Sequence, residues 1–209
     1  MATEERMAEI EKIMSRRRSL TEIMRKILGF CKEQRSFACA EEEMATYPEF
    51  KYIDQSQASI IRILVQAEAL DLIELDARGN VIAPSQKNSL SEDELDDLIC
   101  SYALKATDAA IAVIGKMTTE KRLDALFAAS PDRREAYAGV MNLCRTPQSY
   151  EQIESALSNK APLPSRNDLS DLPVYPSALL AELENAGGLV WNDAWELTDE
   201  GNAYLKAHE

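Results

Sequence analysis

The segment Leu64-Val65-Gln66-Ala67-Glu68-Ala69-Leu70 is echoed 119 residues later by Leu183-Glu184-Asn185-Ala186-Gly187-Gly188-Leu189. Both copies have the pattern Leu-x-x-Ala-x-x-Leu, and each ends a stretch with the apolar spacing of an amphipathic helix. Each copy then runs directly into two short apolar segments separated by a polar turn, which is typical of a β-hairpin. The shared order predicts a helix-and-hairpin unit that occurs twice in the chain.

The composition is that of a folded globular protein, with 45% hydrophobic and 28% charged residues. No segment approaches the run of about 18 apolar residues that a membrane helix needs, and the charged N-terminal segment is unlike a signal peptide. The four cysteines lack Cys-x-x-Cys spacing and the single histidine is His208. We therefore expect no metal site, no cofactor and no membrane contact, in a cytoplasmic protein with reduced thiols.

The sequence contains no motif of a common enzyme class. His208 lies near the end of the sequence, where it offers little for acid–base catalysis. Gly187-Gly188 ends a predicted helix and is not part of a Gly-x-Gly-x-x-Gly phosphate loop, and no Gly-x-Ser-x-Gly elbow is present. We expect a protein without enzymatic activity.

The first half of the chain predicts a helical module with a hairpin at residues 72–82. Residues 4–18 have the spacing of a charged helix, and a capping-box pattern at Asp54 and Gln57 predicts that a further helix spans 54–68. The hairpin has its turn at 76–80, with Gly79 where a positive φ is favoured. These elements define an N-terminal module over 1–88.

The second half predicts a helical connection at 89–130 and a C-terminal module over 131–209. In that module the apolar spacing predicts a helix over 176–186 and a tight hairpin over 189–197. Between its helices, residues 161–176 contain four prolines. Such a loop is either an extended recognition segment or a rigid surface connection.

The tail of the sequence, residues 195–205, has the pattern Leu-Thr-x-x-Gly-x-x-x-Leu after a predicted strand. It resembles the end of many bacterial winged-helix regulators, in which a wing strand leads into a closing helix. The resemblance implies a mainly α-helical fold with small β-hairpin wings, arranged as two winged-helix modules, although the first module lacks the Leu-Thr-x-x-Gly ending. The architecture is also similar to tandem winged-helix proteins that bind other proteins, including acidic bacterial partners of chromosome-condensing complexes.

A DNA-binding regulator is the first functional hypothesis. The net charge is −2 over residues 1–90 and −11 over 91–209, so only the N-terminal module has the positive groups that duplex binding needs. The third helix of a helix-turn-helix reads base edges, and basic residues around it contact phosphates. The candidate DNA-binding residues are Gln55, Ser56, Gln57, Ser59, Arg62, Gln66, Arg78, Arg16, Arg17 and Arg18. The alternative is that these side chains form ordinary solvated surface.

The C-terminal module predicts a protein interface instead. Glu182 and Glu184 on its helix, with Asp193 on its hairpin, would repel phosphates. Trp191 and Trp195 are expected on one face of the hairpin, where they serve as anchors for a partner or a homodimer, or cover the module's own core. The competing functional hypothesis follows: an adaptor in which both modules bind proteins and neither binds DNA.

Overall fold

The computed structural model describes residues 3–88, 90–158 and 175–208. The chain forms two compact units, Met1–Lys116 (unit 1) and Met117–Glu209 (unit 2). Both are mainly helical with small antiparallel sheets, as the sequence predicts. Most of the Pro-rich loop 161–176 lies outside the described residues, so neither interpretation of it is tested.

The described residues of unit 1 form seven α-helices, two short 3-10 helices and a three-stranded sheet. Its elements are α1 (Thr3–Arg16), α2 (Thr21–Phe30), β1 (Arg35–Ser36), α3 (Phe37–Ala45), α4 (Gln57–Gln66), β2 (Leu70–Leu75), α5 (Pro84–Lys87), α6 (Glu92–Leu98), β3 (Ser101–Ala106) and α7 (Asp108–Lys116). The sheet is antiparallel in the order β1-β3-β2, and the β2–β3 register runs from Leu70 opposite Ala106 to Leu75 opposite Ser101. Helix α4 packs against β2 and α3, so it lies beside the sheet.

Helix α4 spans Gln57–Gln66, so it begins three residues later than the predicted range 54–68. The Ser56 hydroxyl accepts a hydrogen bond from the Ser59 amide at 3.3 Å and is the N-cap in place of Asp54. Ile60, Ile61 and Leu64 form the buried face of the helix, as the apolar spacing predicts. Gln55 and Ser56 therefore lie in the approach to the helix and not on it.

The segment 101–106 is a strand, whereas the sequence predicted only helices across 92–129. The predicted turn at 76–80 is present: the Asp76 carboxylate accepts from the Arg78 and Asn80 amides at 2.8 Å, and Gly79 has φ +79°. Val81 makes only an isolated bridge to Leu75, and the main partner of β2 is β3. The hairpin connection accordingly spans residues 76–100 and includes α5 and α6.

Unit 2 contains five α-helices, a short 3-10 helix and a small hairpin among the described residues. Its elements are α8 (Thr119–Ala129), α9 (Arg134–Leu143), α10 (Tyr150–Ser158), α11 (Pro176–Asn185), β4 (Leu189–Trp191), β5 (Trp195–Leu197) and α12 (Asp199–His208). Leu123 and Phe127 of α8 belong to the core of this unit. Strand β3 and helix α7 instead pack within unit 1. The division between the two units lies at residue 116, inside the connection expected at 89–130.

The two repeated segments adopt the same local structure. Leu64 and Leu183 are buried at the inner face of α4 and α11. Glu68 has φ +54° and Gly187 has φ +78°, so each helix ends in a left-handed residue. The amide of the next residue donates back to the leucine carbonyl at 2.9 Å in both units. The sequence repeat is thus a repeated helix ending.

In each unit, a threonine hydroxyl connects this helix ending by hydrogen bonds to the helix that follows the sheet. The Thr198 hydroxyl donates to the Gly187 carbonyl at 2.7 Å and accepts from the Gly201 amide at 2.9 Å. In unit 1 the Thr107 hydroxyl donates to the Glu68 carbonyl at 3.0 Å and accepts from the Ala110 amide at 3.3 Å. Unit 1 therefore has the counterpart of the Leu-Thr-x-x-Gly ending, with alanine in place of both the leucine and the glycine.

The strands are also arranged in the same way in the two units. The Cys31 carbonyl at the end of α2 accepts from the Ala106 amide at 2.7 Å, and the Cys144 carbonyl at the end of α9 accepts from the Leu197 amide at 2.8 Å. Gln148 forms an isolated bridge to Trp195, so the strand order in unit 2 is residue 148, β5, β4. This order matches β1-β3-β2 of unit 1.

The four thiols should differ sharply in reactivity. Cys31 and Cys144 are buried, and desolvation raises the pKa of each thiol to about 11. Cys100 is exposed. Because the thiolate is the reactive form, we expect a maleimide or disulfide reagent at about pH 8 to label Cys100 first and Cys31 and Cys144 only on unfolding. Mass spectrometry of peptides from timed samples measures this order, and early labelling of Cys144 would contradict the packing of unit 2.

Candidate functional site

The exposed face of α4 carries only part of the predicted DNA-binding set. Arg62 and Gln66 are exposed, and Gln57 and Ser59 are half-buried. Gln55 and Ser56 are exposed before the first turn of the helix, where the Ser56 hydroxyl already serves as the cap. A single cation, Arg62, thus lies on this helix.

A groove of about 320 Å³ runs along one flank of α4, between the helix and the sheet. Its lining comes from α3, α4, β2 and β3 and is formed by Phe37, Ala58, Ile61, Arg62, Val65, Leu72 and Tyr102. Leu72 and Tyr102 keep 43% and 41% of their surface exposed. Exposed apolar side chains that converge on a concavity are typical of binding surfaces. We call this feature the α4 groove.

The sequence did not reveal the α4 groove, because its walls come from elements that are distant in the chain. Tyr102 lies on the unpredicted strand β3, two residues from Leu104, which is directly opposite Leu72 in the β2–β3 register. The 3.6-residue spacing of Ala58, Ile61 and Val65 places them along one side of α4. Val65 is half-buried and lines the groove.

Arg62 is the one charged side chain among the described residues that line the groove. Its guanidinium is exposed and makes no ion pair or side-chain hydrogen bond with any other described residue. Other cations of unit 1 are already engaged: Arg25 pairs with Glu22 at 2.5 Å and Lys26 with Glu49 at 2.7 Å. Arg62 is therefore available to a ligand in the groove.

The remaining predicted phosphate contacts come from other parts of unit 1. Arg16 and Arg17 are exposed at the end of α1, which packs mainly against α7 and α2, while α4 packs mainly against β2 and α3. Arg18 follows in a short 3-10 helix. Arg78 is exposed in the turn at 76–80. Helices α1 and α4 thus have different main packing partners.

The connection 76–100 is acidic. It contains six Asp or Glu residues and two Lys or Arg residues. Lys87 pairs with Glu74, and Arg78 lies close enough to the Asp76 carboxylate to help lower its pKa. Helix α6 begins at a capping box in which the Glu94 carboxylate accepts from the Ser91 amide at 2.8 Å, and this bond lowers the pKa of Glu94. Glu94 thus contributes to the negative charge of this connection at neutral pH.

Trp191 and Trp195 face each other across the β4–β5 hairpin of unit 2. They are directly opposite in the register, and their rings meet edge to face with centroids 5.3 Å apart. Both are half-buried, and Trp195 packs against the core of unit 2. Trp195 therefore covers the core of unit 2. The exposed part of Trp191 is available for contact with a partner.

No group of three or more His, Cys, Asp or Glu side chains suited to a metal ion occurs within the described ranges. No helix of the described part of the chain is long and apolar enough to cross a bilayer. Comparison of the chain with protein-family models, with curated proteins and with solved structures finds no match. The α4 groove is therefore interpreted from its own chemistry.

Proposed function

We propose that both units are winged helices and that the chain is a tandem winged-helix protein without catalytic activity. In that fold a short strand follows the first of three helices, and the third helix leads into the hairpin called the wing. The order α2, β1, α3, α4, β2, β3 supports this proposal in unit 1, with β2, β3 and residues 76–100 as the wing. The repeated hydrogen bonds of Thr107 and Thr198 support it in both units.

We propose that this protein is an adaptor that binds another protein through the α4 groove. The observation that supports the proposal is the convergence of exposed Leu72 and Tyr102 with Val65 on an apolar concavity. Burying such surface against apolar groups of a partner is favourable by about 25 cal/mol per Å². A duplex offers phosphates and polar base edges, which would leave most of this groove without a matching surface.

Charge supports the protein ligand over DNA. In a winged helix bound to DNA, the wing lies close to the sugar–phosphate backbone. Here the wing connection 76–100 contributes a net charge of −4, within a chain of −13. Each carboxylate near a duplex opposes the release of counterions that drives binding. An acidic wing is instead compatible with a protein partner.

Photocrosslinking tests the proposed function directly. A benzophenone amino acid placed at position 72 should crosslink to protein in the cells that produce this chain, and nuclease treatment should leave the adduct unchanged. The same group at Ala112, exposed on α7, is the matched control. The adduct at position 72 should disappear when Val65→Arg blocks the groove. Equal adducts from both positions, or an adduct that nuclease removes, would contradict the adaptor.

A DNA-binding regulator is the second candidate, favoured by the exposed pair Arg62 and Gln66 on α4. Under this hypothesis, genomic fragments bind at about 50 mM salt and much less at about 200 mM. Arg62→Ala should then cost about 1–3 kcal/mol at a selected site, while replacing Arg16, Arg17 and Arg18 should weaken binding to all sequences. We expect no binding at either salt concentration, and salt-sensitive binding that requires Arg62 would replace the adaptor with the regulator.

We propose dimerisation or a second protein contact for unit 2, through the exposed part of Trp191. Truncating an aromatic anchor at an interface typically costs about 2 kcal/mol or more. We therefore expect Trp191→Ala to dissociate a dimer or complex while the far-ultraviolet circular dichroism stays unchanged. Sedimentation velocity of both proteins measures the change. If the unchanged protein and Trp191→Ala both sediment as the same monomer, the proposed dimer interface in unit 2 is wrong.

A further inference from the structure

We propose that the α4 groove binds a segment of the partner protein that combines apolar side chains with a carboxylate, which pairs with Arg62. This inference rests on the proposed protein-binding function and specifies its ligand. The groove supplies an apolar surface with one unpaired cation at its side, as described above. Its chemistry therefore selects a ligand with the complementary combination.

The size of the groove indicates a short segment as its occupant. A volume of about 320 Å³ is near the lower end of the range for binding pockets, about 300–1,000 Å³. It holds a few anchoring side chains, as in complexes where a helix or strand places spaced apolar residues in a groove. The exposed surfaces of Leu72 and Tyr102 are the contacts for these anchors.

The carboxylate follows from the position of Arg62. Its guanidinium shares the groove lining with Ala58, Ile61 and Val65, and a bound segment would exclude water from this side of the helix. A cation beside apolar groups attracts an anion more strongly than one in open water, and guanidinium binds carboxylate through two parallel hydrogen bonds. A lysine or arginine at the same point of the ligand would be repelled.

Unit 2 provides an internal comparison. The repeated helix ending aligns Leu64 with Leu183, so Arg62 corresponds to Ala181 and Val65 to Glu184. Both Ala181 and Glu184 are exposed on α11. Unit 2 thus lacks the cation and has a carboxylate where unit 1 has an apolar wall. The proposed specificity belongs to unit 1.

Selection from a displayed library of random peptides, with the full chain as bait, tests this inference. We expect enriched peptides whose binding is lost in both Leu72→Asp and Val65→Arg, and which pair apolar residues with Asp or Glu. Changing that acid to its amide should weaken binding about fivefold, the upper range for an exposed ion pair. Arg62→Glu should weaken the acidic peptides and improve versions carrying lysine instead. Arg78→Glu, an equal charge change outside the groove, is the control.

The outcomes separate the ligand from the function. Groove-dependent peptides without an acid, or equal effects of Arg62→Glu and Arg78→Glu, would overturn the acidic ligand and leave protein binding in place. Failure to enrich any groove-dependent peptide, with bait variants that keep the native circular dichroism, would also overturn it. If DNA fragments bind and Arg62→Glu abolishes that binding, both the ligand and the adaptor proposal fail.

Discussion

Replacing Leu183 with alanine is expected to lower the free energy of unfolding of unit 2 by about 3–5 kcal/mol, and Leu64→Ala should do the same in unit 1. Both side chains are buried, with exposures of 0% and 1%. Each lies one turn before the left-handed residue that ends its helix, where the fixed backbone limits collapse around a cavity. Urea titration followed by circular dichroism measures the loss.

Leu143→Ala is the control for these two variants. Leu143 has the same side chain and also lies in a helix, but it keeps 36% of its surface exposed. Its truncation should change the free energy of unfolding by no more than about 1 kcal/mol, since little packing is lost. If Leu64→Ala proved as mild as Leu143→Ala, the repeated helix ending would not be a core element of unit 1.

The sequence predicts the repeated parts of the fold because their signals are local. The spacing of Ile60, Ile61 and Leu64 marks the buried face of α4, and Gly79 marks the turn at 76–80. A period of three to four apolar residues or a positive φ is visible within a few positions of the chain. These features were enough to predict helix α4 and the turn after β2, but not that β2 pairs mainly with β3.

Strand β3 escaped prediction because its partner is distant. Ser101 pairs with Leu75 across a connection of 25 residues, and helical periodicity in the surrounding segments masked the strand. Without β3, Thr107 could not be identified as the equivalent of Thr198, and Tyr102 could not be placed beside Leu72. The α4 groove therefore depends on the one long-range pairing that the sequence does not show.

The same limit affects the candidate DNA-binding residues. Their selection used residue type and position on a predicted helix, which locates Arg62 and Gln66 correctly on the exposed side of α4. It cannot show which cations of unit 1 are already paired, as Arg25 is with Glu22 and Lys26 with Glu49. Nor can it show that an apolar groove borders Arg62. Charge pairing and concavity arise from tertiary contacts, and they are the reason that we propose a protein and not DNA as the ligand.

Gly201→Ala is expected to destabilise unit 2 by about 3 kcal/mol, near the upper range for overpacking. An added Cβ would lie 3.0 Å from the Thr198 hydroxyl oxygen and in collision with the Gly188 carbonyl oxygen. That carbonyl accepts a hydrogen bond from the Thr198 amide at 3.1 Å. It cannot move away from the added Cβ without breaking this bond. Thermal and urea unfolding of the purified variant measure the loss.

Gly115→Ala is the matched control, because a Cβ there meets no atom within 4 Å. Near the end of α7 the same change should be neutral or stabilise unit 1 by up to about 1 kcal/mol. Unit 1 already has Ala110 at the position equivalent to Gly201, so a residue with a Cβ can donate this hydrogen bond to the threonine hydroxyl. The expected cost in unit 2 therefore comes from the close approach of residue 188. A neutral Gly201→Ala variant would mean that α12 lies farther from this carbonyl than the structure places it.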